Sequence, residues 1–181
     1  MEQIAVDIDY PRVFHSPGLE PWILGTIRMI KHKFTLLDLG CGYGFWGFVC
    51  KVRSHFIEYS IGLDINLNRL RQAKIIYDDT VQSDVRLLPF RSNSIDVVLA
   101  VEVLHGLNSN DFKNCLTAIS NITNTLIIIT LPVFDEVMYK IVNEFDFLVY
   151  RYILRGFLLI TNRKVLSMYN TIFFRLLGAS C

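Results

Sequence analysis

The chain has 181 residues, 52% hydrophobic and 19% charged, proportions that suit one globular domain with a sizeable core. Lys and Arg total 18 against 17 Asp and Glu, so a formal charge of +1 gives no overall electrostatic signal for nucleic acid or an acidic partner. The opening MEQIAVDIDY has no basic stretch ahead of an apolar core, which excludes an ordinary secretory signal, and Asp146, Arg151 and Arg155 interrupt the longest apolar candidate for a membrane span, residues 145–160.

Cysteines stand at 41, 50, 115 and 181 with no Cys-x-x-Cys pair and no clustered histidine, so neither a metal site nor a disulfide framework is expected. Reduced thiols in a soluble, cytoplasmic protein are the reading. The expected organisation is a single domain over 1–181: a helical or lid segment (1–33), a sheet core (34–161) and an amphipathic C-terminal helix (162–181).

Apolar runs alternate with helical periodicity, the pattern of an α/β domain with a largely parallel sheet. Gly18 to Lys31 is predicted helical, with Pro21 in the first turn and Trp22, Ile23, Ile27 and Ile30 on one face. FTLLDL (34–39) is predicted as strand one, residues 44–53 as a helix, and YSIGLD (59–64) as strand two. Asn66 is placed to cap a helix with the stripe Leu67, Leu70, Ala73 and Tyr77. A short third strand is expected from Thr80 to Asp84. SIDVVLAV (94–101) is a fourth, apolar on both faces as a central parallel strand requires. Ser109 to Ile122 is helical with Phe112, Cys115, Ile119 and Ile122 inward, NTLIIITLP (124–132) is strand five, and Asp135 to Phe145 is helical. Residues 147–154 and 157–161 flank Arg155-Gly156 as an antiparallel hairpin. A last helix, Lys164 to Leu177, has an aromatic face flanked by basic residues, suited to the sheet edge, a homodimer partner or a membrane surface.

The stretch with the most chemical content is LLDLGCGYGFWG (36–47), a strand carrying Asp38 and then glycine at 40, 42, 44 and 47. Glycine costs about 0.5 to 1 kcal/mol in a regular element, so a cluster implies positive φ or close approach to the backbone. Gly42, Gly44 and Gly47 spell G-x-G-x-x-G, and Asp64 stands about 20 residues further on, where a dinucleotide's ribose-binding acid belongs. S-adenosylmethionine (SAM) would occupy the same crevice.

The wider sequence favours the second ligand. LLDLGCGYGFWG resembles the first motif of class I SAM-dependent methyltransferases, with Asp38, Gly40, Gly42 and Gly44 in the matching positions and Cys41, between two of the glycines, a further candidate cofactor contact. IGLDIN (61–66) is similar to the second motif, SDVRLLPF (83–90) to the third, and SIDVVLAVEVLHGL (94–107) to the fourth strand and its loop. The resemblance implies a Rossmann-like sandwich, with a mostly parallel seven-stranded sheet ending in an antiparallel hairpin and helices on both faces. It also implies that Asp38 meets the cofactor's ammonium through water and Asp64 the ribose hydroxyls. Ile65 would lie on the adenine face, Asp84 would accept from the adenine amino group, the Val85 backbone would meet the ring, and Val101 and Glu102 would line the cofactor side after strand four. Each acid has a structural alternative: Asp64 as a helix cap, Asp84 as a solvated loop acid, Asp38 as a strand-end acid.

The implied reaction is methyl transfer, leaving S-adenosylhomocysteine (SAH). His105, just past strand four, is the candidate general base or substrate-orienting donor, but the position after it, where many relatives carry a histidine, is Gly106. No Asn-Pro-Pro-Tyr type signature follows strand four, which argues against amino methylation of adenine or glutamine. The expected acceptor is a small molecule or a lipid-linked group, gripped by residues 9–22, by the loop after Leu104 and by residues 132–139. Tyr10, His15 and Trp22 are candidate lid residues. The alternatives are a non-catalytic binding or regulatory subunit of the same fold, a macromolecule methyltransferase, and a nicotinamide-binding protein.

Overall fold

The structure is a computed structural model that describes residues 19–132, 136–145, 147–152 and 157–162. The expected helix over 164–177, the Arg155-Gly156 turn, and Tyr10 and His15 lie outside the described residues. In chain order the elements are α1 (Leu19–Ile27), β1 (Phe34–Leu39), α2 (Phe45–Arg53), β2 (Ile57–Asp64), α3 (Leu67–Ala73), β3 (Asp79–Gln82), β4 (Ile95–Val101), a 3-10 turn (Leu104–Gly106), α4 (Ser109–Ile122), β5 (Thr123–Pro132), α5 (Glu136–Val142), β6 (Phe147–Tyr152) and β7 (Phe157–Asn162).

The strands form one sheet in the order β3-β2-β1-β4-β5-β7-β6. Neighbours from β3 to β5 pair in parallel, and β7 runs antiparallel to both β5 and β6. The apolar character of β1, β4 and β5 on both faces has a direct structural use. Phe34, Leu36, Val97, Leu99, Leu126 and Ile128 pack with α1 and α2, while Leu37, Leu39, Val98, Ala100, Ile127 and Ile129 pack with α4 and α5. The apolar residues of these strands therefore leave water whichever way they point, as a sheet covered on both faces demands.

Helix boundaries follow local chemistry. Asn108 accepts from the Asp111 N–H at 3.0 Å and caps α4, and the Asn66 side chain accepts from the N–H groups of Asn68 and Arg69 to cap α3. Several expectations shift: α1 ends at Ile27 rather than Lys31, and α5 at Val142 rather than Phe145. Strand β2 begins two residues early, at Ile57; β3 stops at Gln82, leaving Asp84 in the following loop; and α3 ends at Ala73. Tyr77 therefore leaves the helix through a turn and points inward, buried, while Leu67, expected on the same stripe, is exposed. Among the described residues no helix is long and apolar enough to cross a membrane.

Strand order reverses where β1 lies between β2 and β4, so the crossovers leaving these strands diverge and open a crevice at their carboxyl ends. The β1–α2 turn and the residues after β4 border it.

Two helical glycines should respond to alanine with opposite signs. A Cβ on Gly25 in α1 meets nothing within 4 Å, so Gly25→Ala should stabilise by about 0.5 to 1 kcal/mol. One on Gly47 in α2 would lie 2.2 Å from the Tyr77 ring, so Gly47→Ala should destabilise by about 1 to 3 kcal/mol. Urea unfolding of both variants measures this, and equal signs would contradict the packing described.

Candidate functional site

The turn from β1 into α2 takes left-handed backbone at three positions, Gly40 (φ 64), Gly42 (φ 55) and Gly44 (φ 92), a region that glycine enters without steric cost. Two backbone bonds brace it: the Cys41 N–H donates to the Leu63 carbonyl and the Gly44 N–H to the Cys41 carbonyl, each at 2.9 Å. The glycines answer to different neighbours. A Cβ on Gly40 would strike Val103, and one on Gly44 would strike Ile76, whereas one on Gly42 meets nothing within 4 Å. Gly47 and Gly62 both make room for the ring of Tyr77. The third glycine of the literal G-x-G-x-x-G is thus accounted for by an internal side chain, and Gly42 is the member of the turn that faces open space.

Asp64 ends β2 and is buried. Its Oδ2 accepts from the Gly42 N–H at 2.9 Å and its Oδ1 from the Asn66 N–H at 2.8 Å, so one carboxylate joins the glycine turn to the start of α3. The helix-cap alternative and the ligand alternative are compatible here, because each oxygen retains acceptor capacity.

Asp38 is also buried, paired across the sheet with Gly62 and Leu99. Its Oδ2 accepts from the Tyr77 hydroxyl at 2.5 Å, and the Tyr77 oxygen accepts from the Gly47 N–H at 3.1 Å. Burial raises the Asp38 carboxyl to about 7, against the opposing effect of the Tyr77 hydrogen bond; the charge of Asp64 adds to the rise. Burial and the facing Asp38 charge push the Tyr77 phenol well above its ordinary value.

Asp84 lies in the loop after β3, and its carboxylate is committed to Arg86. Oδ1 accepts from the Arg86 N–H and Nε at 2.9 and 3.0 Å, and Oδ2 from Nε and a terminal nitrogen at 3.1 and 2.6 Å. These bonds hold the Asp84 carboxyl below its ordinary value. Arg86 also reaches Asp111 at the start of α4, at 3.2 Å.

Ile65, next to Asp64, is an apolar side chain left 64% exposed. Val85 packs partly against the α4 core, and its carbonyl accepts from the Cys115 thiol. Val101 is buried at the end of β4, and the next residue, Glu102, has φ 56 with its N–H donated to the buried Thr130 hydroxyl at 2.9 Å. A left-handed non-glycine residue costs about 1 to 3 kcal/mol, so the turn out of β4 is held under strain beside the crevice. His105 follows on the 3-10 turn, exposed. Cys41 is buried, and burial first, then the charges of Asp38 and Asp64, drives its thiol pKa upward. A neutral, enclosed thiol is a poor nucleophile, and Cys41 serves the turn through its backbone. Among the described residues no group of three His, Cys, Asp or Glu side chains could hold a metal ion.

Sequence reasoning placed Tyr77 on a helix stripe and missed its contact with Asp38. The signal available was glycine at both 47 and 62, on two elements that a large ring must separate. Arg86, two residues after Asp84, was legible as a local ion-pair partner, whereas Thr130 and Val103 become visible only with the sheet assembled.

Residues 37–125 match the family model described as "Methyltransferase domain". An uncharacterized protein of Methanocaldococcus jannaschii is 30% identical over 115 residues, covering 64% of this chain and 48% of that protein. A candidate methyltransferase of Encephalitozoon cuniculi is 32% identical over 103 residues, covering 54% and 45%. The chain thus spans about half the length of the curated relatives it matches. Among solved structures, a protein of Pyrococcus horikoshii superposes with a TM-score of 0.66 at 14% identity, covering 79% of this chain and 86% of that one. The magnesium protoporphyrin IX methyltransferase of Synechocystis, crystallised with bound SAM, superposes at 0.60 with 13% identity, covering 79% and 74%. At such identities the likeness speaks for the fold. The fold is therefore the Rossmann-like one found among SAM-dependent methyltransferases, and within it residues 37–125, which hold the motifs along β1, β2 and β4, are similar to a methyltransferase domain.

Proposed function

We propose that this chain is a SAM-dependent methyltransferase acting on a small-molecule or lipid-linked acceptor. The observation that carries the cofactor half is the open space at Gly42, beside a carboxylate with unused acceptor sites, where the sheet changes direction. Asp64 uses about two of its four lone-pair sites on backbone N–H groups, which leaves two for the donors of a vicinal diol. Ile65 offers an exposed apolar face for an adenine. Asp84 would accept from the adenine amino group once Arg86 gives up part of its grip and rests on Asp111.

When bound, the cofactor supplies a methyl group on a sulfonium, activated for displacement. The chain contributes position and exclusion of water, effects worth about 7 to 11 kcal/mol in well-oriented systems. His105 is exposed on the 3-10 turn that follows the strained Glu102, and in this reading it would orient the acceptor or take its proton. A charge balance of 18 basic against 17 acidic residues gives no field to hold a polyanion, which favours a small or lipid-linked acceptor over nucleic acid.

Calorimetry should show SAH binding, with NAD far weaker, and Asp64→Ala should lose about 1.5 to 3 kcal/mol of affinity through hydrogen bonds to a charged acceptor. Tight NAD binding with no response to SAH would overturn the assignment. Gly42→Ala should stay folded yet bind at least tenfold more weakly, roughly 1.4 kcal/mol, because its methyl group enters the open space at an unfavourable φ. Unchanged affinity would move the site elsewhere.

For His105, methyl-labelled cofactor first identifies the acceptor in extracts. His105→Ala should then leave SAH affinity nearly intact and lower turnover by about 10² to 10⁴. A loss of about tenfold or less would reduce His105 to a loop residue.

A further inference from the structure

Helix α2 begins at Phe45, and Gly44 at its N-cap position has no side chain with which to cap it. The first N–H groups of a helix need partners from outside it. The Gly47 N–H finds one in the hydroxyl of Tyr77, 30 residues further along the chain. That hydroxyl donates its proton to Asp38. The segment carrying Tyr77 is itself pinned: Asp78 accepts from the Ser60 N–H and hydroxyl on β2 and from Lys51 on α2, and Lys51 also donates to the Ile76 carbonyl. The ring fills the space left by Gly47 and Gly62, so neither the ring nor the hydroxyl has room to shift.

We propose that Tyr77 is a positioning residue for the cofactor crevice: its hydroxyl is a remote cap that fixes the glycine turn and holds the Asp38 carboxylate for the amino-acid end of SAM. This deepens the methyltransferase reading and rests on it. Tyr77 touches neither ligand nor reacting atoms; it acts through Gly47 and Asp38.

The arrangement has a titratable consequence. The ionisable groups facing Asp38 among the described residues are Tyr77, Asp64 on β2, Cys41 in the turn and Cys50 on α2. Burial keeps both thiols and the phenol neutral across the working range, whereas it raises the Asp38 carboxyl to about 7, so Asp38 changes charge near neutrality. A raised carboxyl is neutral below that pH and charged above it, so affinity for a ligand ammonium should rise as pH increases through about 7. The bond donated by Tyr77 favours the charged form, so its loss should move this rise to higher pH.

The test is calorimetric titration of SAH into the full chain at several pH values, for the wild type, Tyr77→Phe and Asp38→Asn. The ligand's own amino group titrates identically in all three. Tyr77→Phe keeps the ring and should bind roughly tenfold or more weakly at neutral pH, with the rise displaced upward; Asp38→Asn should bind weakly with the rise abolished. Tyr77→Phe with wild-type affinity and an unmoved profile would overturn the proposal while leaving the methyltransferase reading standing. A wild type without affinity for SAH at any pH would remove that reading and the proposal with it. If Tyr77→Phe does not fold, Asp38→Asn decides alone: loss of the rise supports the proposal, and its retention overturns it.

Discussion

The site depends on the hydrogen bond between the Asp64 carboxylate and the Gly42 N–H. A turn with three consecutive left-handed glycines at alternate positions has many accessible shapes, and glycine loses more conformational freedom on ordering than any other residue. Something must select one shape. Asp64 does so from the end of the neighbouring strand, with its second oxygen fixed by the Asn66 N–H, so the geometry of the turn is referred to the parallel register of β1 and β2. Strand pairing is set by the core, and through Asp64 the core sets the crevice.

A second, buried anchor works from beneath. Two carboxylates, Asp38 and Asp64, stand at the ends of adjacent strands, and the charge of Asp64 adds to the burial that raises Asp38. Away from water such a pair is tolerated only when its lone pairs are used. The Tyr77 hydroxyl serves Asp38 and is itself held by the Gly47 N–H; the N–H groups of Gly42 and Asn66 serve Asp64. The glycines consequently have divided duties. Gly47 and Gly62 are small because a tyrosine lies between them, Gly40 because Val103 presses on it, and Gly42 because its front is open. A pattern that reads as one ligand-binding motif is an internal packing solution with one open face.

Much of this was legible in the sequence because it is local. Strand β1 was assigned with its observed bounds, and α4 likewise, because an apolar stripe marks that helix. The acids at the ends of β1 and β2 were legible as well, from their position against apolar strands. The path of Tyr77 was not, because its helical spacing fits a stripe that the chain abandons at Ala73, and only the tertiary pocket between Gly47 and Gly62 decides where the ring goes. Nor was the left-handed Glu102, whose conformation depends on a hydroxyl from β5 across a parallel pair. The commitment of Asp84 to Arg86 shows the reverse case, a contact two residues apart that a motif comparison passes over because it looks for the ligand first.

The most direct test of the central claim is a crystal structure of the chain with SAH. The account predicts the ligand across the carboxyl ends of β1 and β4, its ribose hydroxyls on Asp64, its backbone-facing edge against Gly42 and its adenine beside Ile65. A ligand bound elsewhere, or one in this crevice with Asp64 out of reach of the ribose, would contradict it.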